Sequence, residues 1–252
     1  MPVKTANGLS TLRRQTLSVQ IAERIIEEIS TGGYVPGSSL PSEQQLATDY
    51  GVSRPVVREA FKFLYAQGFV NVTTGKGARI REVNDELLRV FMRRVLVSGV
   101  DRDIADLFAL RITLEKMSAS LAARNRTASE LREIKVSLSK MASFIDQPAL
   151  YSEFDIKFHV QVARASHNIF LFHLISSIRE TLVSLGSRMR LDLSSSQLPA
   201  VQEYHNMVYR GIELKSPVVA VQGMEAHFET AMDRLLKNLR NTRASKHTSR
   251  TR

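Results

Sequence analysis

The N-terminal third of the chain has three helical patterns of apolar residues, followed by two strand-like patterns. Apolar residues recur at four-residue spacing from Leu17 to Ile29, which predicts an amphipathic helix over residues 17–30. Ser42 has the character of an N-cap, and Gln45 three residues later completes a capping box. A second helix is therefore expected to begin after Ser42.

The second helix is expected to end at Gly51, since glycine readily takes the left-handed conformation that follows a helix. Ser53 caps a third helix whose inner stripe includes Phe61. Residues 69–73 and 78–83 then alternate like short strands around a glycine-rich turn. Helices joined by a tight turn and followed by a β wing form the layout that places one helix in the major groove of DNA.

From residue 84 onward the helical period returns and persists. Breaks occur at glycine, proline, asparagine and serine positions. The pattern predicts helices at 85–98, 102–125, 128–145, 149–166, 168–191, 197–214 and 217–240. The predicted fold is mainly α: a winged helix-turn-helix with a small β wing, then an antiparallel bundle of about seven helices. The predicted boundaries are 1–82 for the DNA-binding domain, 83–240 for an effector-binding and dimerisation domain, and 241–252 for a basic disordered tail.

Composition excludes several classes of protein. The chain has 252 residues and no cysteine, so it has no disulfide framework and no thiolate metal site. The N-terminus lacks the apolar core of a signal peptide, and the most apolar run, residues 169–175, is too short to span a bilayer. We therefore expect a cytoplasmic protein without a membrane partner, associated with the nucleoid when it is bound to DNA.

The net charge of +10 is unevenly distributed. Residues 1–82 contain ten Lys/Arg and seven Asp/Glu, whereas the chain from Lys237 onward has six Lys/Arg and no acid. The basic tail could add non-specific phosphate contacts, and a solvated, disordered tail is the favoured alternative. Because so much of the excess is in the tail, individual arginines are more informative than the average charge.

Candidate DNA contacts lie near the start of the third predicted helix. Arg54 and Arg58 are four residues apart, so they share one helix face, and arginine pairs bidentately with the guanine edge. Ser53 and the neighbouring backbone amides can hold a phosphate. Lys76, at a glycine-flanked turn, can approach the DNA backbone or minor groove. The alternative is that these arginines are solvated surface charges, with Arg58 paired to an acid.

A candidate metal site can be read in the second half. Asp155 and His159 are spaced i, i+4 and project from one helix face, while His205 and His227 lie on the apolar sides of later helices. Three neutral imidazoles and a carboxylate suit a divalent transition-metal ion and leave positions open for water or a ligand. The alternative for each histidine is a hydrogen-bonded core residue.

Arg111 is a candidate anion site. It lies on an apolar stripe between Leu107 and Leu114, and an unpaired buried guanidinium is costly. Its acceptor is either Glu115, one turn on, or a ligand carboxylate held bidentately.

A longer motif runs through the N-terminal domain. It consists of Leu40-Pro41-Ser42-Glu43, Leu46-Ala47, Gly51-Val52-Ser53-Arg54, Val57-Arg58-Glu59-Ala60, Leu64, Gly68-Phe69 and Gly75-Lys76-Gly77. This segment resembles the GntR-type bacterial transcription regulators, which act as dimers on near-palindromic sites. The resemblance implies operator contacts from Ser53, Arg54, Arg58, Gly75 and Lys76. The position of Gln44 is often an arginine that contacts DNA, so Gln44 is a further candidate with an altered base preference.

The second domain resembles the all-helical ligand (FCD) domain of the FadR-like subgroup. Many members bind a metal with one Asp and three His at the positions that match Asp155, His159, His205 and His227. The resemblance implies a divalent transition-metal ion there, with zinc as the first choice and nickel or manganese as alternatives. It also implies that Arg111 and the metal grip a small organic acid. Asn168 is a further effector-binding candidate, and Arg179 and Arg188 are possible members of the same pocket, although a cap or surface role is the favoured interpretation for each of the three.

Together these features predict a ligand-responsive regulator that binds operator DNA as a homodimer, with repression relieved by a small carboxylate such as a sugar acid. One rival hypothesis is a metal-dependent hydrolytic enzyme that uses the same four ligands to activate water. Another is that the helical domain is purely a dimerisation scaffold.

Overall fold

The chain folds into two compact units, of which the first ends at Val83 and the second begins at Asn84. The computed structural model describes residues 16–73, 77–98, 101–189 and 198–248. Helices dominate both units, as predicted. None of the described helices is long and apolar enough to cross a membrane.

The first unit contains three helices and a two-stranded sheet among its described residues. Its elements are α1 (Leu17–Ser30), α2 (Glu43–Asp49), α3 (Arg54–Ala66), β1 (Val70–Thr73) and β2 (Gly77–Ile80). Apolar faces of the three helices pack on the inner side of the sheet, and Ile25, Val57 and Leu64 are fully buried there. This is the predicted winged helix-turn-helix.

Local signals explain the ends of α2. The Ser42 hydroxyl accepts a hydrogen bond from the Gln45 backbone amide at 3.1 Å, so the predicted N-cap is confirmed. The reciprocal half of the capping box does not form, because the Gln45 side chain donates to Asp49 Oδ1 at 2.7 Å. Gly51 has φ of 63°, the left-handed conformation expected after α2.

The wing strands pair antiparallel, with Val70 opposite Ile80. The segment that precedes α2 adds an edge to this sheet, since the Ile80 amide donates to the Ser38 carbonyl at 2.8 Å and the Leu40 amide donates to the Ala78 carbonyl at 2.8 Å. Short polar segments of this kind carry no alternating pattern, so the sequence did not predict the extra edge.

The described residues of the second unit form seven helices, as predicted. They are α4 (Glu86–Ser98), α5 (Asp101–Asn125), α6 (Ala128–Ser143), α7 (Pro148–Ala165), α8 (Ile169–Met189), α9 (Leu198–Glu213) and α10 (Pro217–Thr248). The core that α5, α6, α7, α9 and α10 share includes the fully buried rings of Phe158 and Phe228.

Helix α10 continues to Thr248, through the first part of the segment 241–252 for which the sequence predicted disorder. Low apolar content was the basis of that prediction, but it does not end a helix. Residues 241–248 contain no glycine or proline, the residues that most disfavour a helix. Residues 249–252 lie outside the described part of the chain.

Two glycines allow α9 and α10 to approach each other closely. A Cβ atom on Gly211 would lie 2.2 Å from the Ala220 amide nitrogen, and one on Gly223 would lie 2.7 Å from the Val208 amide nitrogen. Neither position can accept a side chain without moving a backbone. The close crossing brings the facing side chains of the two helices, including their histidines, into direct contact.

Candidate functional site

Three helices of the second unit bring four ligand-type side chains together. Helix α7 places Asp155 and His159 one turn apart, α9 contributes His205 and α10 contributes His227. One ligand atom from each lies within 4.8 Å of all the others. The three imidazoles are at most 6% exposed, and the Asp155 side chain is 19% exposed. The residues predicted as a metal set therefore meet at one place.

The spacing within this cluster fits a single ion. His159 Nε2 lies 3.1 Å from His205 Nε2, and His205 Nε2 lies 3.1 Å from Asp155 Oδ1. Zinc–ligand bonds of about 2.1 Å put neighbouring ligand atoms about 3.0–3.4 Å apart on one ion. These two distances suit ligands of one metal ion, and all four ligand atoms lie within 4.8 Å of one another.

The electrostatics of the cluster favour the ligand forms of its side chains. Burial lowers the pKa of His205, and it lowers the pKa of His227 well below its usual range with help from the neighbouring histidines. Burial alone would raise the pKa of Asp155, but Arg179 and His159 outweigh it and hold that pKa well below its ordinary value. Neutral imidazoles and an ionised carboxylate are the forms that bind a metal.

A second group of charged side chains lies directly behind the cluster. Glu115 Oε1 accepts from Arg111 Nε at 3.0 Å and from Arg179 Nε at 3.1 Å, and Glu115 Oε2 is in short contact with His159 Nδ1. Arg179 Nη1 also donates to Asp155 Oδ2 at 2.8 Å. All of these charges are buried or nearly so, and they form one network with the four candidate ligands.

Burial shapes this network as well. It lowers the pKa of Arg111 to about 10, helped by the nearby Arg179 cation. Burial would raise the pKa of Glu115, but Arg179, His159 and Arg111 hold it well below its usual range. The Arg111 guanidinium also lies 4.8 Å from the centre of the Phe228 ring. The guanidinium groups of both arginines are therefore held in place by buried acidic partners.

The structure shows which protein groups the anion candidates contact. Glu115 is a partner of Arg111, as one alternative predicted. The cap alternative for Asn168 is confirmed, because its Oδ1 accepts the amides of Phe170 at 3.0 Å and Leu171 at 3.2 Å at the start of α8. The Arg188 side chain lies outside the described part of the structure.

The favoured assignment of Arg179 to a cap or surface role was wrong, since only 3% of it is exposed. It lies four residues after the buried Ile175 and three residues before the buried Leu182, so it lies on an apolar stripe. The same reasoning that singled out Arg111 applied to it and would have found it.

The candidate DNA contacts lie at the start of α3, on the surface. Ser53, Arg54 and Arg58 are exposed, and Ser53 stands at the N-cap without a side-chain capping bond. Arg58 Nη2 donates to Glu43 Oε2 at 2.8 Å, so the predicted pairing with an acid exists across the two helices. That bond lowers the pKa of Glu43 and outweighs burial, which acts in the opposite direction.

The structure describes only one of the three further candidates for DNA contact. Gln44 is exposed on α2. Gly75 and Lys76, at the tip of the wing, lie outside the described residues.

Comparison with known proteins identifies both units. Residues 17–80 match the family described as bacterial regulatory proteins, gntR family, and residues 106–230 match the FCD domain. The HTH-type transcriptional regulator LutR of Bacillus subtilis is 31% identical over 208 residues, which cover 81% of this chain and 94% of LutR. The chain belongs to the GntR family. It is a DNA-binding transcription regulator with an FCD effector-binding domain, and it fits the FadR-like subgroup.

Other GntR proteins agree with this assignment. An Escherichia coli protein named as an L-lactate dehydrogenase operon regulatory protein is 30% identical over 216 residues, with 84% of this chain and 83% of that protein covered. A solved GntR structure from Streptococcus agalactiae has a TM-score of 0.71 and 26% identity, and covers 86% of this chain and 99% of that chain. The predicted family and fold class are confirmed, and these relatives give no support to the hydrolytic-enzyme alternative.

Proposed function

We propose that this GntR-family regulator binds a near-palindromic operator as a homodimer, and that a small carboxylate bound with a divalent metal ion in the FCD domain relieves repression. The observation that carries the proposal is the convergence of Asp155, His159, His205 and His227 beside the buried pair Arg111 and Arg179. A domain that served only for dimerisation would not need so many buried charges, because each charge costs free energy to desolvate.

The operator-binding part of the proposal rests on the start of α3. Arg54 and Arg58 are exposed, one turn apart, and suited to guanine edges, while Ser53 and the first-turn amides suit a phosphate. Gly75, Lys76 and Gln44 are proposed as supporting contacts. Two copies related by a two-fold axis would match two half-sites, which is why a near-palindromic operator is expected.

The metal part rests on the donor set. A carboxylate and three imidazoles suit zinc first, with nickel or manganese as alternatives, and they leave positions for a ligand. A divalent ion held there would supply a positive anchor for a ligand oxygen. The side chains of the protein would fix the orientation of the acid and exclude water from it.

Charge balance indicates that the ligand is an anion. Arg111 and Arg179 are offset by Glu115 and Asp155, so a divalent ion would leave the buried site with an excess of positive charge. Arg179 Nη2 is buried and has no hydrogen-bond partner in the described part of the chain. A ligand carboxylate would offset part of this excess charge and supply the missing acceptor.

The names of two relatives suggest a chemical class for the proposed acid effector. One is named for an L-lactate dehydrogenase operon, and another, 28% identical over 189 residues, is the galactonate operon transcriptional repressor of Escherichia coli. Lactate and galactonate both carry a hydroxyl group next to the carboxylate. We propose 2-hydroxy acids as the effector class, because the carboxylate and hydroxyl oxygens can reach one metal ion together.

The proposed mechanism is a shift of population. A ligand can change operator affinity only if it binds two arrangements of the helical domain unequally. Acid and metal bind side chains from α5, α7, α8, α9 and α10, so they stabilise one arrangement of these helices. In the dimer that arrangement is expected to change the spacing of the two α3 helices and to weaken operator binding.

A thermal-shift screen tests the sensor. Zinc, nickel and manganese are each combined with L-lactate, D-galactonate or citrate, because ligands of the native state raise its melting temperature. We expect a hydroxy acid to raise the melting temperature only in the metal-loaded protein. Arg111→Lys, which removes the planar fork but keeps the charge, is expected to lose the shift caused by acid and keep the shift caused by metal.

The matched control is Arg132→Lys, an exposed arginine of α6. An acid-induced shift that persists without metal, or that survives Arg111→Lys, would contradict the proposed site. Operator affinity measured by fluorescence anisotropy at fixed salt should fall when the same acid is added to the metal-loaded protein.

A further inference from the structure

Glu115 occupies a special place in the buried network, because it contacts the arginines with one oxygen and a candidate ligand with the other. Its side chain is fully buried. Oε1 accepts from Arg111 Nε and Arg179 Nε at 3.0 and 3.1 Å, and Oε2 faces His159 Nδ1. The sequence suggested only the intrahelical bond to Arg111.

The contact with Glu115 selects one tautomer of the His159 imidazole. A carboxylate held by two guanidinium groups is an acceptor only, so His159 Nδ1 must carry the proton. The lone pair then lies on His159 Nε2, which points into the cluster, 3.1 Å from His205 Nε2 and 3.6 Å from Asp155 Oδ1. A metal ligand needs that lone pair, and an outer carboxylate commonly fixes it in this way.

The other two histidines have no such anchor among the residues that the structure describes. The Nδ1 atoms of His205 and His227 are buried without a hydrogen-bond partner. The orientation and tautomer of these rings are set within the cluster itself, whereas those of His159 are set from outside by Glu115. Among the three histidines, His159 is therefore the one through which Glu115 and the arginines can act on the ion, while Arg179 also contacts Asp155 directly.

We propose that Glu115 is a positioning residue that couples the metal to the acid: Oε2 keeps His159 in its ligand tautomer while Oε1 orients Arg111 and Arg179 toward the same ligand. This rests on the metal and acid site proposed above. The consequence is that loss of Glu115 affects both binding events, although it touches neither the metal nor the acid.

The competing explanation is that Glu115 only neutralises buried arginines. That role predicts a loss of stability on substitution but no change in the tautomer of His159. Glu115→Gln separates the two, since glutamine keeps the volume and one accepting oxygen. The arginines can only donate, so they keep that oxygen, and the amide NH₂ turns to His159 Nδ1. His159 must then accept at Nδ1 and carry its proton on Nε2.

The experiment measures metal affinity and tautomer together. Zinc, nickel and manganese affinities are determined by chelator competition for the parent, Glu115→Gln and the control Glu225→Gln, which removes a surface carboxylate that pairs with Lys116 at 2.5 Å. We expect Glu115→Gln to weaken metal binding by about 10–100-fold and the control to leave it unchanged. Nitrogen NMR of ¹⁵N-histidine-labelled, metal-free protein should show His159 protonated at Nδ1 in the parent and at Nε2 in Glu115→Gln.

Each outcome either supports or overturns the proposed role of Glu115. Unchanged metal affinity in Glu115→Gln, or a parent protein with His159 protonated at Nε2, overturns the role of Glu115; the second measurement holds even if the variant does not fold. A parent that binds none of the three metals refutes the proposed metal site, and the role of Glu115 with it. Metal binding by the parent with no change in the variant refutes the role of Glu115 alone.

Discussion

The two units use charge in opposite ways. At the start of α3 the cations are exposed, and more than half of the Arg58 side chain is accessible although it pairs with Glu43. In the helical domain the Arg179 side chain is 3% exposed and bridges Glu115 and Asp155. Surface ion pairs contribute about 0–1 kcal/mol, whereas removal of one partner of a buried pair costs about 3–5 kcal/mol.

The difference suggests how the two tasks are divided. The charges proposed to read DNA lie outside the core, so they are accessible to a partner and can vary with little loss of stability. The charges of the proposed sensor site are part of the core, so we expect a ligand that binds among them to change how the helices pack. This makes the buried site suited to converting a small ligand into a change of helix arrangement.

The largest expected effect is a loss of operator affinity with no change in the stability of the fold. Arg54→Ala combined with Arg58→Ala should lose about 2–6 kcal/mol of operator affinity, because each bidentate arginine–guanine contact provides about 1–3 kcal/mol. Fluorescence anisotropy at fixed salt, with an operator selected from random duplexes, measures the loss. The melting temperature should stay that of the parent.

The control for that pair is Arg24→Ala, an exposed arginine of α1 that pairs with Glu27. Operator binding should survive this change. If the double variant also bound the operator normally, α3 would not be the reading helix.

Removal of one ligand should separate metal binding from folding. His205→Ala is expected to abolish the rise in melting temperature that zinc produces in the parent, because a quarter of the donor set is lost from a buried site. Metal analysis of the purified variants provides a second measurement. His173→Ala, which lies on α8 outside the cluster, serves as the comparison, and equal metal content in the two variants would rule out the site.

The close crossing of α9 and α10 can be tested on its own. Gly211→Ala introduces a Cβ atom 2.2 Å from the Ala220 backbone, and overpacking of this kind costs about 1–3 kcal/mol or more. Denaturant unfolding should show that loss, together with weaker zinc binding, because the same crossing brings the His205 and His227 rings to 4.4 Å between centres.

The neighbouring exposed residue supplies the control, since Arg210→Ala changes the same turn of α9 without a clash. A Gly211→Ala variant as stable as Arg210→Ala would show that the helices have room to separate.

The smallest expected effect sharpens the description of the DNA-reading surface. Gln44→Arg places a cation at an exposed position of α2 near the proposed DNA contacts. One added phosphate contact should steepen the slope of log K against log salt by about 1 and raise affinity modestly. A salt series of anisotropy titrations measures both quantities, and an unchanged slope would place Gln44 away from the DNA backbone.

Much of this molecule follows from local sequence signals. The four-residue apolar spacing from Leu17, the cap at Ser42 and the glycine at position 51 predicted α1 and α2 with bounds close to those observed. These signals succeed because helix formation is governed by groups within a turn of one another. The i, i+4 pair Asp155 and His159 was readable for the same reason.

The tertiary structure decided what lies far apart in sequence. The sequence offered Glu115 as a partner of Arg111, but its bonds to His159 and Arg179 depend on how α5, α7 and α8 cross. The buried role of Arg179 has the same origin. Periodicity tells which face of a helix is buried, but the side chains that meet in the core are set by backbone approach, which here depends on glycines at 211 and 223.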